Sequence, residues 1–184
     1  MLEKTGLAPY VKDFECYGNN GKNKDENYSY EKYADVIDPL QEIVGYSTAE
    51  YSKYKPESEL SNFAADVIRA IGQKECGCDI DIAMTNFGGI RTDLPGGAVR
   101  VYDIFSIFPF DNYLVVFDIK GSDLKEFLDA CAKNNRLEAF SNVEFVINKG
   151  KFEKCNIAGK PLDPNRDYKF CTINFLMDGG DSIF

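Results

Sequence analysis

An α+β fold is predicted for this chain, and three observations carry the prediction. One long segment repeats its apolar residues at helical spacing. Several short runs of β-branched and aromatic residues read as strands. The later strands are separated by tight-turn sequences, so helices and hairpins are mixed along the chain rather than strictly alternating.

The helical segment is Glu57–Gln73. Leu60, Phe63, Ala64, Val67, Ile68 and Ile71 fall at i, i+3, i+4, i+7, i+8 and i+11, which predicts one buried face. Ser58 is placed to cap its N-terminus. Asp79–Met84 alternates and then turns apolar, as a buried strand does. Asn86–Gly97 holds four glycines and a proline and reads as a loop with tight turns. A short strand is expected at Val99–Val101. Asp103 is then placed to cap a short helix, Ile104–Phe108, that Pro109 ends.

Tyr113–Ile119 is a strand by composition. Gly121-Ser122 starts a second amphipathic helix with Leu124, Phe127, Leu128 and Cys131 on one face. Val143–Ile147, Phe152–Ile157 and Tyr168–Ile173 are expected strands, with turns at Asn148-Lys-Gly150 and Asp163-Pro-Asn165. Residues 18–27 are polar and low in complexity, so 1–29 is read as a peripheral arm and 30–184 as the folded domain. The sequence stops at Asp181-Ser-Ile-Phe184, just past a glycine pair, which fits a fragment as well as a natural terminus.

Composition excludes several functions. The 184 residues fit one domain of ordinary size. The formal net charge is −9, with no basic block, which argues against a nucleic-acid polymer as partner. A small anionic ligand needs only one or two local cations and stays open. The chain contains no His, so imidazole-based metal sites and Ser-His-Asp or Cys-His relays are absent from it. No spacing points to a catalytic carboxylate pair, so neither catalytic nor metal-ligating residues are assigned. No stretch approaches the ~20 apolar residues of a membrane span, and no signal peptide is read at the N-terminus.

Six cysteines, Cys16, Cys76, Cys78, Cys131, Cys155 and Cys171, permit disulfides without fixing their connectivity. Cys76-Gly-Cys78 lacks the second ligand pair of a structural zinc site, and buried or unbridged thiols are the simpler reading, above all for Cys131 and Cys171.

Three segments carry the functional expectation. In Asn86-Phe-Gly-Gly-Ile-Arg91, Gly88 and Gly89 allow close backbone approach or positive φ, and Arg91 offers a forked cation suited to phosphate or vicinal oxygens. In Phe108-Pro-Phe110-Asp-Asn, Phe110 is expected at a helix end. In Asn174-Phe175-Leu-Met-Asp-Gly-Gly-Asp181, Phe175 is expected at a strand end, and Asp181 is placed to accept hydrogen bonds from ribose hydroxyls. Two rings from separate loops can sandwich a planar base. Singly, each feature has an ordinary reading: a turn, a surface charge, a core ring.

Taken in order, Pro56-Glu-Ser-Glu-Leu-Ser-Asn62-Phe-Ala-Ala-Asp66, Asn86-Phe-Gly-Gly-Ile-Arg91, Pro109-Phe110-Asp-Asn, Lys120-Gly121, Phe175 and Gly179-Gly-Asp181 resemble the C-terminal domain of the 5'-nucleotidase family, from about Ile37 to the chain end. The resemblance implies an α/β/β/α sandwich that binds the nucleoside part of a nucleotide. A separate metallophosphoesterase domain or chain would hold two divalent metals, with no cofactor in this chain, and the phosphoric-monoester hydrolase would need both halves. By the same resemblance Phe110 and Phe175 are the stacking pair, Asn86 faces the base edge, Arg91 lies near ribose and phosphate, and Asp181 binds ribose. An extracytoplasmic, periplasmic or cell-surface, location is implied as well. The family's further Arg falls at Tyr54 here, where either Lys53 or Lys55 could stand in as a point charge. The alternatives are a nucleoside-binding module without a catalytic partner and a degenerate protein-interaction domain.

Overall fold

A computed structural model of the chain describes Asp35 and residues 37–134 and 138–182. The predicted arm, 1–29, lies outside the described residues. The chain forms two compact units. The described residues up to Glu50 belong with Leu94–Asp111, and Tyr51–Asp93 belongs with the residues from Asn112 onward.

The smaller unit is built on an antiparallel pair, β1 (Ile43–Ser47) and β3 (Gly97–Arg100), followed by helix α2 (Val101–Ile107). The predicted strand end and helix start are both displaced here. Val101 reads as strand by its β-branched side chain, but the register pairs Ile43 with Arg100, and the Val101 N–H donates to the Glu42 carbonyl at 3.0 Å. Helix α2 therefore begins at Val101. Asp103 sits inside its first turn, where Oδ2 accepts from the Arg100 N–H at 2.7 Å. Pro109 follows the end of α2, because the residue before a proline avoids helical geometry.

In the larger unit a mixed sheet runs in the order β4 (Leu114–Lys120), β9 (Asp167–Ile173), β2 (Ile82–Thr85) and β5 (Ala139–Ser141). Strands β2 and β9 are parallel and the other pairings antiparallel. Alternation sends Ile82, Met84, Tyr168 and Phe170 to one face, against Leu124 and Leu128 of helix α3 (Gly121–Lys133) and Ile157 of a small sheet. That sheet comprises β6 (Val143–Asn148), β7 (Lys151–Ile157) and β8 (Lys160–Pro161). On the other face Ala83 and Cys171 meet Ile68 of helix α1 (Glu59–Cys76). The result is a mixed α/β fold with helices flanking a central sheet, in agreement with the predicted class.

Helix α1 starts as the sequence implies, with Ser58 and Ser61 forming a capping box, but it runs on to Gly77, whose left-handed backbone closes it. Its rotation differs from the prediction. Leu60 is 1% exposed, while Phe63 is 49% exposed and Val67 and Ile71 are also exposed. The buried stripe consists of Leu60, Ser61, Ala64, Ala65 and Gly72. Close approach to the sheet selects the small side chains. A Cβ on Gly72 would lie 2.7 Å from both Cys171 Sγ and Ile80 Cδ1. Periodicity finds the bulky stripe, whereas packing distance chooses the small one beside it.

The turn at Asp163-Pro-Asn165 forms as predicted and fixes the start of α3. A Cβ on Gly121 would fall 2.0 Å from the Asp163 carbonyl oxygen, and the Gly121 N–H donates to Arg166 O at 2.8 Å. We expect Leu60→Ala to cost about 2–5 kcal/mol in urea unfolding. Phe63→Ser should stay within about 0.5 kcal/mol, as exposed substitutions do. Comparable losses from the two would contradict the observed rotation of α1.

Candidate functional site

Because β2 and β9 run parallel, their C-terminal ends emerge on the same edge of the sheet, which is where open α/β sheets place ligands. Strand β2 delivers Asn86 and a 3₁₀ turn, Phe87–Gly89. Strand β9 delivers helix α4 (Asn174–Met177). Phe175 thus stands in the first turn of a short helix rather than at a strand end, because Asn174 exchanges hydrogen bonds with Tyr113 at 3.0 Å and stops the ladder there.

Asn86 is only 5% exposed. Its Nδ2 donates to Asp181 Oδ2 at 2.5 Å, joining residues 95 positions apart. Its Oδ1 is buried without a hydrogen-bond partner. The glycine pair is explained by this amide. A Cβ on Gly89 would lie 2.8 Å from Asn86 Oδ1, and one on Gly88 would lie 3.3 Å from Nδ2 and 3.9 Å from Asp181 Oδ2. Of the two predicted uses of these glycines, close approach is the one realised, and what they approach is the side chain of Asn86. The amide expected to face a base edge is turned to Asp181 in this structure.

Asp181 reaches that bond through a left-handed backbone, φ 54° and ψ 8°, after Gly179 at φ 88°. Gly180 sits against Phe175, where a Cβ would be 2.3 Å from the Phe175 carbonyl oxygen and 2.6 Å from the ring. Phe175 is 43% exposed, and Leu176 beside it is fully buried and anchors the helix. The structure therefore brings Asn86, Gly88, Gly89, Asp181 and Phe175 into one assembly. Arg91 joins it through an Nη1 donation to Gly88 O at 3.2 Å. Phe110 belongs to the smaller unit, where it is 43% exposed in the bend after α2.

The cations around the Asn86–Arg91 loop were only partly legible in the sequence. Lys53 Nζ donates to Phe87 O at 3.1 Å and also to Ile90 O, bridging both sides of the glycine pair. The backbone N–H of Lys53 and the Ser52 hydroxyl both donate to the Asp93 carboxylate. Lys55 Nζ lies 5.2 Å from the centroid of the Phe87 ring, a cation–π contact. Tyr54 instead donates its hydroxyl to Glu59 Oε2 at 3.2 Å, and the Glu59 charge raises its pKa. Glu138 Oε2 accepts the Phe87 N–H at 2.7 Å. Lys53 and Glu138 act on this loop from segments far away in sequence, and no local signal marks Glu138 or the use of Lys53 as a bridge between carbonyls. Among the described residues no group of three or more His, Cys, Asp or Glu is placed to hold a metal ion.

Removing the Lys53 ammonium leaves two carbonyl acceptors without their donor. We expect Lys53→Met to lower unfolding free energy by about 1–3 kcal/mol and to speed amide exchange at Gly89 and Ile90, with Lys53→Arg losing less. Unchanged exchange at those amides in Lys53→Met would show that the bridge does not hold the loop.

Comparison with known proteins identifies the family. The family model described as "5'-nucleotidase, C-terminal domain" matches residues 37–184. Protein UshA of Yersinia enterocolitica is 36% identical over 106 residues, covering 55% of this chain and 19% of that protein. The trifunctional nucleotide phosphoesterase protein YfkN of Bacillus subtilis is 31% identical over 173 residues, 82% of this chain and 12% of the relative. The chain thus spans a fifth or less of the length of these relatives. The fold matches the crystal structure of a 5'-nucleotidase precursor from Thermus thermophilus with a TM-score of 0.69 at 23% identity, over 85% of this chain and 34% of that one. By the family model that matches it from residue 37 to 184, this chain belongs to the 5'-nucleotidase C-terminal domain family.

Proposed function

We propose that this chain is the nucleoside-recognising part of a 5'-nucleotidase-type phosphohydrolase. The observation that carries the reading is the Asn86–Asp181 pair beneath Gly88 and Gly89. It sets a carboxylate with a fixed orientation next to a loop that Lys53, Lys55 and Arg91 all contact. In a chain of net charge −9, Arg91 and Lys55 at this loop supply the local cations that a small anion needs.

In this reading Phe110 and Phe175 supply rings for stacking on the base. Asp181 accepts from the ribose hydroxyls while Asn86 holds its other oxygen. Arg91 pairs with the phosphate, its fork matched to two oxygens. The Lys53 ammonium is committed to backbone carbonyls, so Lys55 is the better substitute for the family's missing arginine at Tyr54. A separate metallophosphoesterase domain or chain would supply the divalent metals that activate water. This chain contributes affinity and orientation, which lower the barrier by fixing the reacting phosphate relative to that water. An extracytoplasmic location goes with the same reading.

On its own, the purified chain is expected to release no phosphate from nucleotides, with or without added divalent metal. Metal-dependent phosphate release that stays with this chain through fractionation would overturn the division of labour. In calorimetric titrations Phe110→Ala and Phe175→Ala should each weaken adenosine binding by about 1–3 kcal/mol. Arg91→Ala should weaken the 5'-monophosphate more than the nucleoside. Asp181→Asn should affect the ribonucleoside more than its 2'-deoxy or 3'-deoxy analogue, since a carboxylate that accepts from two hydroxyls has more to lose. Ligand ratios unchanged across this set, in folded variants, would reject these residue roles and leave the fold assignment standing.

A further inference from the structure

A second chemically distinctive feature of the larger unit lies at the C-terminal end of α1. The Cys76 and Cys78 sulfurs are bonded to each other across a single residue, Gly77. The sequence permitted disulfides without fixing their connectivity, and the structure places one between Cys76 and Cys78. Gly77, turning back at φ 62°, brings the two side chains onto the same side.

This bridge contributes little to holding the fold. Disulfide stabilisation grows with the length of the closed loop, and a loop of three residues is near its minimum. The helix end is already closed by the left-handed Gly77 and by its N–H donation to Gln73 O at 3.0 Å. The bond is also accessible. Cys76 is exposed, and half-buried Cys78 lines an open hollow of about 470 Å³ together with Ala70, Gln73, Lys74, Gly77 and Asp79. The charges of Lys74 and Asp79 at that hollow suit a peptide-like molecule that carries both signs.

Both redox states find their partners in place. The Cys78 N–H lies 3.2 Å from Cys76 Sγ, positioned to donate to a thiolate there. The carbonyl oxygens of Cys78 and Gln73 lie 3.4 and 3.8 Å from the same sulfur, within reach of an S–H once the bridge opens. The other described cysteines are poor competitors. Cys131 and Cys171 are buried, and burial pushes the Cys155 and Cys171 thiols up to about 11.

We propose that Cys76-Gly77-Cys78 is a thiol–disulfide exchange site that takes a cysteinyl peptide thiol as co-reactant and is reduced and re-formed in place. An incoming thiolate attacks Cys78 Sγ from the hollow. The Cys76–Cys78 bond breaks, and its electron pair leaves on Cys76 Sγ, which receives the Cys78 N–H and then a proton from water. A second peptide thiolate attacks the peptide sulfur of the mixed disulfide. It forms the oxidised peptide dimer and releases Cys78 as a thiolate, which is protonated in turn. Two thiols are oxidised and one protein disulfide is reduced; the reverse sequence restores the bridge. The inference does not depend on the nucleoside site.

The test uses the full chain carrying Cys16→Ser, equilibrated in buffers of graded reduced and oxidised glutathione, quenched, alkylated and mapped by mass spectrometry. Cys76 and Cys78 should convert together between bridged and alkylated forms while the chain stays folded. They should exchange at least about tenfold faster than Cys131, Cys155 or Cys171 become modified. The thermal midpoint of the reduced chain should fall by less than about 4 °C. With Cys76→Ser added, a glutathione adduct should be trapped on Cys78. A bridge that glutathione leaves intact until the chain unfolds, a larger drop in midpoint on reduction, or no adduct on Cys78 would each overturn the proposal. The first two readouts need no cysteine change at the bridge, so they decide the matter even where the trapping variant does not fold.

Discussion

The hydrogen bond from Asn86 Nδ2 to Asp181 Oδ2 is the constraint around which this site is organised. It is charge-assisted, with the Asn86 amide buried and the Asp181 residue exposed at the edge of the site. Its requirements propagate outward. The amide oxygen occupies the space that a side chain at position 89 would take, and the amide nitrogen leaves one at position 88 only a tight fit. The carboxylate reaches the amide from a left-handed backbone at Asp181, after Gly179 at positive φ, and Gly180 lets the chain double back against Phe175. One contact therefore ties together two separate loops and the place of an exposed aromatic ring.

The sheet supplies the framework for that contact. Strands β2 and β9 are parallel neighbours, which puts the two loops at the same edge. Their relative position is fixed at the opposite end by Asp81, whose carboxylate accepts from the Lys169 N–H at 2.9 Å and from the Arg166 guanidinium at 2.5 Å. The backbone N–H of Asp81 returns a bond to Lys169 O at 2.9 Å. With register held at the start and α1 packed closely through small residues, the strand ends have little freedom, and the loops they carry inherit that rigidity.

Charge is arranged on the same principle of local concentration. The chain as a whole is acidic, yet Lys53, Lys55 and Arg91 gather on the Asn86–Arg91 loop. Each is engaged differently: Lys53 with carbonyls, Lys55 with a ring face, Arg91 with the Gly88 carbonyl. Carboxylates meet the same segment: Glu138 accepts from the Phe87 N–H, Asp93 from Ser52 and Lys53, and Asp181 from Asn86.

Much of this was legible in the sequence by itself. The helix cap at Ser58, the strand runs, the turn at Asp163-Pro-Asn165 and the glycine-flanked motifs follow from backbone preferences and short-range periodicity, which act over a few residues. The candidate residues Asn86, Gly88, Gly89, Arg91, Phe110, Phe175 and Asp181 were identified from those motifs and a family resemblance. What only the tertiary structure decided is a matter of distance between segments. The rotation of α1 follows from how near the helix lies to Cys171 and Ile80. The start of α2 at Val101 follows from pairing with β1. The bridging role of Lys53 and the turn of Asn86 toward Asp181 depend on partners 34 to 95 residues away. Local sequence encodes which conformations a segment prefers, but which neighbour it meets is set by the closed fold, because burial and hydrogen-bond satisfaction are properties of the assembled chain.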